Sequence, residues 1–541
     1  MGRKFTEEEL NNLNPRALVM LILSMQDQLE LMNRNLENLT EQIRLANSQR
    51  FGRHSEKLSD MEGQLSIFDE AETLYVPRKQ EPSPEDVLPP KTHGSRPKGK
   101  READLKEFPE EQYHHPVTKE EADSFYGKSC WRRMPDETYK KLRYTPASWT
   151  VEIHTVDVVV GKSGLHQDEF LRGKHPKGLL KNSILTASLG AAVLNGKFTN
   201  ALPYDRIEKE FLNYNVNISK QTMCNWTMDI SERYLRPFYE LLKEQLFQFP
   251  VNQADETPVL VLQDGRPVPA KSWMWVHRNG EFYRDRQVVL FEYQKTRHHE
   301  FPEEFYREYR GILVTDGLQQ YHMLEKTNPG LVSANCWVHA RRLFFDAAKA
   351  MKKDDPDKVR RSAAYQALQR IAAIYGIEGT LKELSSKERL DRRQSDIKPL
   401  VEEFFAWIRI KKAENAYLPK SKTSQGIEYF LNQEKYLRVF LTDGDVPMDN
   451  SASERSIRPF TIGRKNWLFN NTIRGAQSSA AVYSIVETAK ANNLKPYYYL
   501  KHLLTILPEI TDSEGNADRT ELVKLLPWAE EIPEECRKAG R

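Results

Sequence analysis

Apolar residues recur in steps of four and three between residues 18 and 46: Leu18, Ile22, Met25, Leu29, Met32, Leu36, Leu39, Ile43 and Ala46. This is the a/d spacing of a coiled coil, sustained for about four heptads. Pro15 suits the start of such a helix. The seam is narrow and its flanks are polar, which favours self-association over an amphipathic helix packed on its own domain. From residue 150 to 160 the pattern changes to β-branched alternation, which predicts a strand. Residues 204 to 214 and 220 to 226 read as two helices around the turn Asn215-Val216-Asn217-Ile218, with Ser219 as the N-cap of the second. That is either a helix-turn-helix or an ordinary helical hairpin. In the first case Lys220, Gln221 and Asn225 face a major groove.

Further on, a strand opens around Ala254-Asp255-Glu256-Thr257-Pro258, and two more are predicted over 272–277 and 287–293. A helix over 298–309 follows, then a short apolar strand ending in Thr315-Asp316-Gly317, and a last strand over 331–338. Three strands, helix, strand, helix, strand is the order of a ribonuclease H-like fold, an antiparallel meander continued by parallel strands with helices on both faces. About 140 residues then separate Asp316 from Glu454, too many for a simple connection. They read as helical and charged, so we expect a helical insertion in an α/β core. Residues 472 to 475 resemble a turn, and a helix is expected over 478–492.

Composition narrows the picture only slightly. The chain has 541 residues with 80 basic and 77 acidic ones, a net charge of +3, so any nucleic-acid surface must come from local clustering. Mean hydropathy is −0.68 and no apolar run is long enough for a bilayer, which points to a soluble protein without a membrane partner. The N-terminus lacks the apolar stretch of a secretory signal. Four scattered cysteines, Cys130, Cys224, Cys336 and Cys536, do not form a disulfide framework, so a reducing cytoplasm is the expected setting. Six prolines between 74 and 103, with Lys91, Arg96, Lys98, Lys100 and Arg101, read as a semi-extended linker with a basic tail.

The candidate chemistry lies in three carboxylates far apart in the chain. Asp255 and Asp316 fall on neighbouring strands of the expected plan, and Glu454 on a later helix can close the site. Oxygen-only ligands suit hard divalent cations. Two such ions, held about 3.5–4 Å apart, are a standard means of phosphodiester cleavage and strand transfer. Arg455, Arg458, Arg464 and Lys465 cluster near Glu454, and guanidinium groups grip phosphates bidentately. Arg341 and Arg342 are further candidate phosphate contacts, as are Arg50 and Arg53 in the basic segment after the heptads. Trp467 is expected in the core. Cys336 and His339 have the spacing of a zinc ligand pair but no second pair beside them, so a structural role is expected. His114, His115 and Cys130 likewise lack paired zinc spacing.

Taken together, the motifs Asp449-Asn450-x-x-x-Glu454-Arg455-x-Ile457-Arg458-Pro459, Gly463-Arg464-Lys465-Asn466-Trp467-Leu468-Phe469 and Cys336-Trp337-x-His339-Ala340-Arg341-Arg342 resemble transposases of the insertion-sequence 66 family, a bacterial DDE group. Glu487-Thr488-Ala489-Lys490-x-Asn492, Ala254-Asp255-Glu256-Thr257-Pro258 and Arg50-Phe51-Gly52-Arg53-x-Ser55-Glu56-Lys57 are also similar to family segments. The resemblance implies a catalytic triad of Asp255, Asp316 and Glu454, magnesium dependence, and cutting and joining at the inverted repeats of a transposon. It also implies an N-terminal leucine zipper that makes a homo-oligomer, double-stranded DNA as partner, and accessory proteins of the same element. Family members usually carry a Cys-x-x-Cys zinc module where this chain has residues 107 to 165 with Cys130 alone, so no zinc is expected there. The implied plan is a coiled coil and basic segment (1–58), the linker (74–103), a degenerate zinc-finger-like β module (104–175) and a helical DNA-binding region (176–249). The catalytic core (250–345), the insertion (346–440), core completion with Glu454 (441–505) and a tail (506–541) follow. Two rivals remain: a repurposed DNA-binding protein without catalysis, and a nuclease that cuts without joining.

Overall fold

The computed structural model describes residues 177–267, 270–351, 356–414 and 421–538, together with 149–154, 158–160, 170–172, residue 120 and most of 14–32. The second half of the heptad seam, Arg50, Arg53, the linker, His114, His115 and Cys130 lie outside the described residues. The described residues between 15 and 32 are helical, and Ile22, Met25, Leu29 and Met32 of the seam are exposed.

Within the unit Val76–His175, strands β1 (Val158–Val160) and β2 (Phe170–Arg172) pair antiparallel. Of the strand expected over 150–160, Val158–Val160 are paired. Residues 151–154 are exposed and carry no ladder hydrogen bonds, which alternation alone does not secure.

The large unit is built on a mixed sheet. β3 (Val251–Gln263), β4 (Lys271–Asn279) and β5 (Val289–Gln294) form an antiparallel meander; β6 (Gly311–Thr315) and β7 (Leu331–Asn335) continue it in parallel, giving the order β5-β4-β3-β6-β7. Short β8 (Asn470–Thr472) pairs in parallel with the far end of β3. Successive strand residues point to opposite faces, and at the start of β3 and in β6 and β7 the two faces feed different cores. Ala254, Leu313 and Leu331 enter the larger core, with helices α1 (Ala187–Leu194), α2 (Tyr204–Leu212), α3 (Lys220–Ile230) and α4 (Arg236–Phe247). Val251, Val314 and Ala334 enter a second core with α7 (Trp337–Met351), α8 (Ala363–Thr380), α9 (Lys398–Ala413) and α10 (Lys422–Asn432). Helices α5 (Glu300–Phe305) and α6 (Gln319–Thr327) are the crossings before and after β6. Ser219 caps α3 as expected, its hydroxyl accepting from Thr222 N at 3.1 Å.

Two segments differ from the sequence reading. The strand expected over 331–338 stops at Asn335, and Trp337 opens α7. A short apolar run does not distinguish a strand from a buried helix; here Trp337 N donates to Met448 O at 3.1 Å and turns the chain out of the sheet. The turn expected over 472–475 is the end of β8 and the start of a helix, with the Thr472 hydroxyl capping Gly475 N at 3.1 Å. After α11 (Ser451–Trp467), this helix, α12 (Ile473–Ala491), is buried almost throughout and precedes α13 (Pro496–Ile510).

α12 lies along β5, the edge strand. An uncovered edge offers unpaired backbone groups to any passing strand. Here Ser484 Oγ accepts from Phe291 N at 2.7 Å, Thr488 Oγ1 bonds both Val289 N (3.0 Å) and Val289 O (2.9 Å), and Asn492 does the same for Gln287. Side chains of one helix thus stand in for a missing strand, which accounts for Thr488 and Asn492 in the family-like motif.

The second core holds a buried guanidinium. Arg393, fully shielded from solvent, pairs with Glu378 and donates to the carbonyls of Phe440 (2.9 Å), Asp443 (3.0 Å) and Val446 (2.9 Å). It holds the segment that leads into α11. Removing one partner of such a pair leaves a buried charge, so Arg393→Ala should lower unfolding free energy by about 3–5 kcal/mol in denaturant titration; a loss below about 1 kcal/mol contradicts this role.

Candidate active site

Parity and register bring the two aspartates together. β3 and β6 pair with a constant offset, Val251 opposite Ile312 and Gln253 opposite Val314. The same offset carried two residues further sets Asp255 level with Asp316, just past the end of β6. Asp255 shares the face of Val251, toward the second core, and Asp316 follows directly on the end of β6. Glu256 points to the other face, where its carboxylate is paired with Arg297 and accepts from Tyr321 Oη at 2.7 Å. Gly317 turns the chain immediately after Asp316 with φ +87°, and a Cβ there would lie 2.5 Å from Tyr429 Oη and 2.7 Å from Asn335 Nδ2. Only glycine meets both demands.

Glu454 reaches this face because the start of α11 is fastened to β3. Asn450 is fully buried. Its Nδ2 donates to Ala254 O at 2.8 Å, one residue before Asp255; its Oδ1 accepts from Gln253 Nε2 at 3.3 Å and Ser453 Oγ at 2.5 Å; its backbone N–H donates to Cys336 Sγ at 3.2 Å. Its carbonyl accepts the N–H of Glu454 at 3.2 Å. Arg278 of β4 adds a second tie, with Nη1 donating to Ala452 O at 3.2 Å and Ser456 Oγ at 3.0 Å. Cys336 and Trp337 act here as parts of the frame: Trp337 Nε1 donates to Leu437 O at 2.7 Å, and burial pushes the Cys336 thiol well above its usual range.

Electrostatics register the proximity. Burial, and then the charges of Glu256, Glu454 and Asp316, hold Asp255 well above the normal carboxylate range. Burial and Glu256 push Asp316 up to about 6. Crowded carboxylates disfavour one another's ionisation, and a divalent cation relieves that conflict. His339, at the start of α7, has Nδ1 3.7 Å from Glu454 Oε1, and burial lowers it to about 4, so it is neutral near pH 7. Each aspartate accepts from its own backbone: Asp255 Oδ1 from Glu256 N at 2.9 Å, Asp316 Oδ1 from Leu318 N at 3.1 Å. Among the described residues no group of three or more His, Cys, Asp or Glu side chains is poised to hold a metal ion. The donor set is chemically suited to a hard cation.

The basic candidates divide. Arg342, Arg455 and Lys465 are exposed, Arg458 is half-buried, and Arg455 pairs with Glu281 at 3.1 Å. Arg341 is buried, with its guanidinium 5.6 Å from the Phe345 ring. Arg464 donates to Thr257 Oγ1 at 3.2 Å and to the Pro258 carbonyl, tying the end of α11 to β3. Lys220, Gln221 and Asn225 are exposed on α3; Gln221 donates to Asn225 at 3.0 Å and Lys220 lies 3.7 Å from Asp205. Trp467 packs edge-on to Phe460 at 5.4 Å, inside the frame. Asn450 and Arg278 were not singled out from sequence; the one available signal was the Asp449-Asn450 pair at the head of the motif.

A mixed sheet flanked by helices, with acidic side chains at one end of neighbouring strands and a helix-borne glutamate beside them, defines an α/β protein with a candidate acidic active site. The chain belongs to the IS66 transposase family: the profile described as "Transposase IS66 family" matches residues 182–478. "IS66 C-terminal element" matches 484–528, and "Transposase C of IS166 homeodomain" matches 38–112. Similar curated proteins include uncharacterized protein y4hP of Sinorhizobium fredii (strain NBRC 101917 / NGR234), 27% identical over 65% of this chain and 63% of its own length. Uncharacterized protein y4qI of the same strain is 26% identical over 67% of this chain and 66% of its own length. The chain thus spans just under two thirds of each. Among the described residues no helix is long and apolar enough to cross a membrane.

Because Asn450 links the start of α11 to both β3 and Cys336, Asn450→Ala should cost about 1–3 kcal/mol in thermal or denaturant melts. Stability unchanged from wild type contradicts the fastening role.

Proposed function

We propose that this chain is a DDE transposase of an insertion sequence, which binds the element's terminal inverted repeats and catalyses DNA cleavage and strand transfer with Asp255, Asp316 and Glu454. The observation that carries the reading is the Asn450 fastening, which holds the first turn of the glutamate's helix against the carbonyl preceding Asp255. The strand order, meander then parallel strands, supports a ribonuclease H-like core interrupted by the helical segment between Asp316 and Glu454.

Asp255, Asp316 and Glu454 would hold two magnesium ions, which when bound supply activation of a water or 3′-hydroxyl and charge relief at the leaving oxygen. The protein's own part is placement. The two aspartates ride on paired strands and move little; the glutamate arrives on a helix tied at its N-terminus. Neutral His339 stands 3.7 Å from Glu454 without adding a competing cation. Exposed Arg342, Arg455 and Lys465, with Arg458, line the approach to phosphates, while Arg341 and Arg464 brace the frame. Lys220, Gln221 and Asn225 offer a second DNA contact. Hydrolysis frees a 3′-hydroxyl that then attacks target DNA in line, with no covalent protein–DNA intermediate. The exposed heptad positions fit a homo-oligomer, and accessory proteins of the element are further partners.

Asp316→Asn should leave DNA affinity within about threefold of wild type in gel shift and abolish both nicking and joining of end-bearing DNA. Appreciable cleavage by this variant refutes the triad. Cleavage by wild type without joining of pre-cut ends favours a nuclease, and binding without any metal-dependent cleavage favours a DNA-binding protein that has lost catalysis.

A further inference from the structure

The last turn of α11 ends on a strained apolar tip. Leu468 has φ +66° and ψ −49°, and Phe469 N donates back to Trp467 O at 2.8 Å. This is the γ-turn with positive φ, rare and strained for any residue and more so for leucine. The strain holds two large apolar side chains in solvent, with Leu468 64% and Phe469 42% exposed. Both ends of the tip are anchored. Trp467 packs on Phe460, and Asn470 is in register with Val261 of β3. Arg464, which receives the Leu468 N–H at its carbonyl (2.7 Å), is itself tied to Pro258 and Thr257. A flexible loop would tuck these side chains away; this one cannot.

The surface leading to the tip is basic. Arg455, Arg458, Ile462 and Lys465 follow one another by three and four residues, so they share one face of α11. That face starts beside Glu454 and runs to Leu468, a rise of about 20 Å, or about six base steps of duplex. Cations along a track and an apolar wedge at its end match what DNA-kinking proteins present, phosphate contacts beside a side chain driven between bases.

We infer that Leu468 and Phe469 form a wedge that enters a base step of the DNA lying along α11, unstacking it about six steps from the phosphate at the carboxylates. This rests on the transposase reading for the identity of the DNA, though not on catalysis. Strained backbone is tolerated where it positions a functional group in advance, and a preformed wedge avoids ordering apolar side chains at the moment of binding.

The test uses the full chain carrying Asp316→Asn, so that DNA is bound and not cut, with duplexes of the element's end bearing 2-aminopurine at one position at a time. Protein is held at saturation, verified by anisotropy. Fluorescence should rise severalfold at one or two adjacent positions, and the rise should vanish with Leu468→Ala/Phe469→Ala and persist with Phe469→Trp. Leu468→Gly, which relieves the turn, should melt no lower than the parent and still lose the rise. A rise unchanged in the double variant overturns the wedge, as does a double variant that alters only the oligomeric state in sedimentation. If wild type proves unable to cut DNA while the Leu468- and Phe469-dependent rise remains, the catalytic reading falls and the wedge stands.

Discussion

The fastening of Asn450 to the Ala254 carbonyl is the contact on which the candidate site depends. The two strands bring only the aspartates together, because strand pairing fixes register but reaches no further than the sheet. The glutamate lies far along the chain, beyond a helical segment with a core of its own. Loop closure over such a length costs little more than over a short one, so the insertion is tolerable provided that its exit is held. Asn450 holds it by using nearly all its hydrogen-bonding capacity: amide donor to Ala254, carbonyl oxygen to Gln253 and Ser453, backbone N–H to the Cys336 sulfur, backbone carbonyl to the Glu454 N–H.

Seen from that contact, the second core has a definite task. Arg393 gathers the carbonyls of 440–446, Trp337 fixes Leu437 and Met448, and Tyr429 Oη reaches Asp316 O at 3.3 Å. Trp337 and Tyr429 thus couple the helical segment to the end of the sheet, while Arg393 fixes that segment internally. The opposite side of the sheet is secured differently, by hydroxyl and amide side chains of α12 along the edge strand β5. Both arrangements leave Asp255 and Asp316 as carboxylates of raised pKa, through burial first and then through neighbouring carboxylates, Glu256 for both and Glu454 for Asp255.

Much of this was legible in the chain. Alternation and apolar runs located β3 to β6 and their order, and Asp-Gly marked the end of β6, where glycine is required by its positive φ. The strand over 331–338 was overextended because Trp337 and Val338 look alike in a buried strand and a buried helix. What stayed hidden were contacts that depend on burial and sequence-distant partners. Arg341 and Arg464 were expected as phosphate contacts, and the structure has Arg464 tied to β3 and Arg341 buried beside Phe345, while Arg393, one charge among many in the helical segment, serves the interior. Asn450 stood out only as part of the Asp449-Asn450 pair, since an asparagine before a helix usually caps it. The exposed Leu468 and Phe469 were read only as part of a motif, because a positive φ at leucine leaves no mark in sequence.

The central claim is that three remote carboxylates form one cation site, and Mn2+ titration of the full chain followed by EPR tests it most directly, since Mn2+ accepts the same oxygen ligands as Mg2+. The account predicts that Asp255→Asn, Asp316→Asn and Glu454→Gln each weaken binding about tenfold or more. Binding by Glu454→Gln equal to wild type, with loss in the two aspartate variants, would show that the helix-borne glutamate stands outside the site and contradict the account.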